Sequence, residues 1–248
     1  MTRTEGSTLV GTSGMDPFDL ILGGEAERAI EIYSARIKSG ESAQGFAGRA
    51  LALLNLGRLE DAKSDYMHAL DLERKERTAV GSAYLCSIGS IYWMQGHDEE
   101  AARIWLRALE GINSGEITHS DMAGGAGVGA LLWFAGARSE LPGYLKAAEE
   151  FLRKNAKGAK AHNWPGPIGG FLLGQVTVDS LQAASEARPV ELMKRRRCQA
   201  AFYVGAKALT SDDSDAFRQG MARAVEFGAS TMVEKEYYLA RYELSRLN

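Results

Sequence analysis

The sequence predicts an all-α fold, a solenoid of stacked helical hairpins with about twelve helices. Three observations predict it. Apolar residues recur at helical spacing along most of the chain, small residues hold fixed offsets within those patterns, and matching second-helix positions return at intervals of 33, 39 and 40 residues (Ala29, Ala62, Ala101, Leu141). A repeat of that length, made of two helices, cannot bury both of its faces alone, so neighbouring repeats must complete the core.

The central unit, residues 82–112, shows the pattern best. Leu85, Ile88, Gly89 and Tyr92 share one helical stripe, Gly96 breaks it, and Asp98 is the expected N-cap of the next helix. That second helix carries Ala101, Trp105, Ala108 and Leu109 at spacings of four, three and one. Small residues in both rows let two helices approach closely.

Residues 1–15, rich in Gly, Ser and Thr, are expected to form a disordered arm. Residues 16–156 carry the helical repeats. Asp16-Pro17 opens the first helix, Ala29, Tyr33 and Ile37 share a face of the second, and Gly40 ends it. Phe46, Ala50 and Leu53 begin the next pair, closed by Ala62, Tyr66, Ala69 and Leu70. After the central unit, Gly129 and Leu132 match Gly89 and Tyr92, and Gly136 matches the turn glycine Gly96. Residues 157–176 are a linker broken by Pro165 and Pro167, with a short helix through Phe171 and Leu172 that Gly174 closes. Residues 177–248 supply Thr177 as an N-cap, a further helical pair and an amphipathic capping helix, packed with the rest as one continuous domain.

The small–aromatic–small pattern of Gly89, Tyr92, Ala101, Trp105 and Ala108 resembles the tetratricopeptide (TPR) repeat, although Arg49 stands where that family has Leu. Trp164-Pro165-Gly166-Pro167 and the Cys198–Gly205 run resemble, more narrowly, the C-terminal half of bacterial TPR proteins of the NlpI type. The first resemblance implies a right-handed superhelix. The second implies a non-enzymatic adaptor that holds a bacterial protease or cell-wall hydrolase.

A formal net charge of −3 argues against a dedicated nucleic-acid binder, and no stretch has the ~18 apolar residues of a membrane span. The sequence as it stands reads as cytoplasmic, or as periplasmic if a signal or lipid anchor has been removed. Cys86 and Cys198 lie in apolar helical patterns and read as small buried hydrophobes. His68, His97, His119 and His162 are scattered without metal-ligand spacing, so neither a metal nor a cofactor is expected. His119-Ser120-Asp121 contains the residue types of a catalytic triad, but sequence neighbours cannot converge on one another in those roles, and a capped helix start is the expectation. The glycines of residues 124–129 are read as packing slots rather than a phosphate loop, because no strand precedes them. The basic run Lys194–Arg197 reads as a solvated face with a Glu191–Arg195 pair, or as a contact to phosphates or an acidic partner.

The candidate site is apolar. If first helices line an inner wall, Gln44, Leu51, Asn55, Ser90, Trp93, Met94, Ala130, Trp133 and Phe134 face a concave groove suited to a protein or peptide segment. The chain's own C-terminal helices are the other possible occupant. His162, Trp164, Arg195 and Arg196 are secondary candidates. The leading expectation is therefore a non-catalytic adaptor. An immunity protein that blocks a toxin by direct binding is the alternative, and a self-associating homodimer joined through Trp93 and Trp133, or an enzyme accessory with a site near His162 and Trp164, comes third.

Overall fold

The computed structural model describes residues 16–40, 42–75 and 80–247; the arm expected at 1–15 lies outside them. Among the described residues the chain is all-α. Its helices are α1 (Pro17–Leu22), α2 (Ala26–Ser39), α3 (Ala43–Asn55), α4 (Leu59–Lys75), α5 (Ser82–Met94), α6 (Asp98–Ser114) and α7 (Ala126–Arg138). They continue with α8 (Pro142–Asn155), α9 (Gly166–Leu172), α10 (Val178–Ala184), α11 (Val190–Ala208), α12 (Ser214–Ala224) and α13 (Lys235–Arg246). Three short 3₁₀ turns accompany them, and Val80–Gly81 pairs in parallel with Ile117–Thr118.

Local signals explain most boundaries. The Asp16 carboxylate accepts from the Phe18 amide with Pro17 at the first helical position, and the Thr177 hydroxyl accepts from the Ser180 amide. Gly57 and Gly96 take positive φ after α3 and α5, where L side chains are strained. Two expected boundaries are corrected. His97, not Asp98, is the N-cap of α6, and the Asp98 carboxylate instead accepts from Ser139 and Arg246. Gly136 lies inside α7 rather than in a turn: a Cβ there would stand 2.5 Å from the Leu145 backbone nitrogen, so it is the crossing point with α8. Glu140, at φ 53°, carries the turn.

Consecutive helices pack as hairpins from α1 to α8, and α11 packs with α12. The close approaches fall where the small residues are. A Cβ on Gly89 would meet the Trp105 indole at 2.4 Å, and Gly205 and Gly220 face each other so closely that a Cβ on Gly220 would lie 2.2 Å from the Gly205 Cα. One hydrophobic core runs from Ala50 in α3 to Ala240 in α13. Arg49 forms a two-pronged ion pair with Asp65 at 2.7 and 2.8 Å, which ties α3 to α4.

Of the two occupants the sequence allowed for the apolar residues of the first helices, the chain's own C-terminal helices are the one that covers them. Helix α13 packs on α5, α11 and α12, and α11 packs on α7. Trp93, Trp133, Phe134 and Ala130 are fully buried, and Ser90 is 1% exposed. The Phe134 ring lies 4.9 Å from Trp93 and 4.8 Å from Phe202 of α11. Trp93 donates through Nε1 to Glu243 of α13 at 2.7 Å, and Arg138 Nε donates to the other Glu243 oxygen at 2.7 Å. Glu243 is completely buried. Met94, Leu51 and Asn55 are half-buried, Gln44 is exposed, and the Asn55 amide donates to the Met232 carbonyl just before α13. The physical reason is apolar area: large aromatic rings on the first helices are removed from water by the chain's own C-terminal helices.

Replacing Glu243 with Ala leaves Arg138 and the Trp93 N–H without their acceptor. Urea unfolding of Glu243→Ala should show a loss of about 3–5 kcal/mol, the range for breaking one side of a buried pair. A loss below about 1 kcal/mol, the value typical of an exposed pair, would show that this contact does not seat α13.

Candidate functional site

Closing the groove leaves a separate concavity of about 450 Å³ where α5, α7, α11 and the start of α13 meet the loop before α7. Its walls bring together three of the four secondary candidates, Trp164, Arg195 and Arg196; His162 is exposed and does not line it. Val128, Leu131, Pro165 and Leu192 give it an apolar floor, and Met122, 74% exposed, stands at its edge.

Trp164 is set by the broken linker. The Trp164–Pro165 bond is cis, and Pro165 caps α9, whose Ile168 and Leu172 are buried. The indole Nε1 donates to Gln199 Oε1 at 2.6 Å, while the Arg196 guanidinium stacks 5.5 Å above the ring. The basic run is therefore not a plain solvated face. Arg195 pairs with Glu234 rather than Glu191, and Arg197 pairs with Glu186.

The start of α13 supplies an acid–base–acid triplet. Glu234 accepts from Arg195 and, at 3.0 Å, from the Gln199 amide. Glu236 accepts from Tyr203 at 3.1 Å and from Gln199 at 3.3 Å. Between them Lys235 lines the cavity and makes no hydrogen bond or ion pair among the described residues.

Asp121 fills the remaining wall. Its carboxylate accepts from the backbone amides of Ala123, Gly125 and Gly127 at 2.9, 2.8 and 3.0 Å. The helix start expected at Ser120 or Asp121 is corrected: α7 begins at Ala126 with Gly125 as its N-cap, and the Asp121 carboxylate instead ties the loop before it to its first turn. It also accounts for the glycine-rich loop: Gly124 and Gly125 take positive φ, and the amides that an anion would need are already held by the chain's own carboxylate.

Electrostatics bias the pocket away from nucleophilic chemistry. Burial, reinforced by Asp121 and Glu236, pushes the Cys86 thiol up to about 12, so it stays protonated at neutral pH. Burial and then Glu236 raise the Tyr203 phenol well above its usual value. Burial works against the Lys235 ammonium, and the flanking Glu236 and Glu234 charges oppose that and keep the amine charged, the opposite of an activated amine. Burial, then Glu234, raises the Glu236 carboxyl. Among the described residues no three His, Cys, Asp or Glu side chains converge as a metal site would require, and no helix is long and apolar enough to cross a membrane.

Sequence reasoning missed Glu234, Lys235, Glu236 and Gln199. The signal was present but ambiguous. Glu236, Leu239, Ala240 and Glu243 share one stripe of α13, and acids on an amphipathic helix ordinarily mark its wet face. Comparison with protein-family models finds no match to this chain, and comparison with curated proteins finds none either.

The buried thiols and phenols set the alkaline stability. Cys86, Cys198, Tyr84 and Tyr203 all ionise later in the folded chain than unfolded, and burial is the first cause in each case. Above pH 9 the folded state therefore holds more protons than the unfolded one, so stability is intact below that pH and falls as pH rises toward 12. Each such thiol should remove about 1.4 kcal/mol per pH unit. Urea midpoints that stay level between pH 9 and 11 would contradict these burials.

Proposed function

We propose that this protein is a non-catalytic protein-interaction module built on a tetratricopeptide-type superhelix. It receives a partner segment at the Trp164 pocket rather than in the inner groove. The observation that carries this reading is the stacked Trp164–Arg196 pair beside the exposed Met122. Trp and Arg are the side chains that dominate binding energy at interfaces, and an exposed flexible thioether adapts to a partner's shape. The pocket is walled by segments far apart in sequence, so it is presented by the packed stack rather than by one loop. The protonated Cys86 thiol and the ammonium form of Lys235 support binding over covalent catalysis. Holding a bacterial hydrolase and neutralising a toxin would both use this same surface.

Photo-crosslinking tests the reading directly. Benzoylphenylalanine placed at Met122 should yield a discrete protein adduct in lysate of the source organism. The same group at Met67, which is 49% exposed on α4, should not. Trp164→Ala should reduce the Met122 adduct. Identical adduct patterns at both positions, or none at Met122, would refute the assignment.

A further inference from the structure

The pocket's hydrogen-bond inventory is one-sided. Its three carboxylates are each supplied internally: Asp121 by three backbone amides, Glu234 by Arg195 and Gln199, and Glu236 by Tyr203 and Gln199. Its donors are not. Arg196 Nε is buried without an acceptor, and the remaining guanidinium has one 3.4 Å contact, to the Glu186 carbonyl. Lys235 lines the same cavity with no acceptor among the described residues. A buried donor left unmade costs free energy, and a charged one costs more. What the cavity lacks is an anionic acceptor.

Charge count narrows the ligand further. Arg195, Arg196 and Lys235 balance Asp121, Glu234 and Glu236, so the cavity carries no excess positive field to attract a polyanion. A single carboxylate matches the free donors at short range, and a planar guanidinium suits it geometrically. The apolar floor of Val128, Leu131 and Leu192 adjoins those donors and fits an aliphatic side chain. The volume suits a few residues of chain rather than a whole helix.

From these observations we infer that the Trp164 pocket binds a short peptide segment presenting one carboxylate beside an apolar side chain. Arg196 and Lys235 take the carboxylate. The carboxylate can be a chain terminus or an acidic side chain, and the experiment separates them. The inference rests on the interaction-module reading and specifies the chemistry of its partner.

The test uses the full ¹⁵N-labelled chain and its four tryptophan indole signals, of which Trp164 (assigned by Trp164→Phe) reports the pocket and the three buried rings report the fold. Three probes are titrated: acetyl-Gly-Ser-Gly-Leu-Leu with a free C-terminus, the same peptide amidated, and acetyl-Leu-Glu-Leu-amide. At least one acid-bearing probe should shift the Trp164 signal saturably while the acid-free amide does not, and which acid binds identifies the source. Arg196→Gln and Lys235→Gln should each weaken that binding about tenfold with the three buried indole signals unmoved. No shift from either acid, an equal shift from the neutral amide, or unchanged affinity in both variants would overturn the inference. If the Met122 adduct persists in Arg196→Gln/Lys235→Gln, carboxylate recognition fails while the interaction module stands.

Discussion

The seating of α13 depends on one buried carboxylate. Glu243 is fully enclosed, accepts from Trp93 and Arg138 through different oxygens, and lies 3.4 Å from Arg246, which in turn reaches Asp98 at 3.0 Å. A charge placed there without donors would be expelled, so the carboxylate fixes where along the groove the helix rests. Arg138 ends α7 and Trp93 nears the end of α5. The clamp therefore joins the last turns of two first helices to the end of the chain.

The same stripe of α13 carries Glu236 seven residues earlier, two turns away on the same face. Fixing Glu243 fixes Glu236 against Tyr203 and Gln199, and with it Glu234 against Arg195. Leu239 and Ala240 lie between the two acids, both fully buried. One helix thus closes on Trp93 with its last turns and builds a polar pocket with its start. The pocket follows from the clamp.

The rings of α5 and α7 show how apolar area is disposed of in this chain. Trp93, Trp133 and Phe134 form a large apolar surface, and burying each such ring is worth about 1.5–3 kcal/mol. A tethered helix reaches that surface at far higher effective concentration than a free partner. The chain's own C-terminal helices therefore cover these rings, and the concavity that stays open is the one beside Trp164. There the Arg196–Trp164 stack and Lys235 line the cavity wall.

The sequence by itself determined the helices, most of their ends and the small residues at their crossings. Those depend on local chemistry: period 3.6, caps at Asp16 and Thr177, positive φ at Gly57 and Gly96, and the slot at Gly89 for Trp105. It also singled out Trp164, Arg195 and Arg196, because a proline-broken aromatic segment and a basic run stand out from amphipathic background. Only the tertiary structure decided which side chains are open. Trp93 and Trp133 read as groove-facing in a repeat considered alone, yet they are core once α11 and α13 cover them. Glu236 and Glu243 carry no local mark of burial, yet they turn inward because donors up to 150 residues away in sequence, Trp93 the farthest, converge on them. Burial and pairing of that kind belong to long-range packing, which no local spacing encodes.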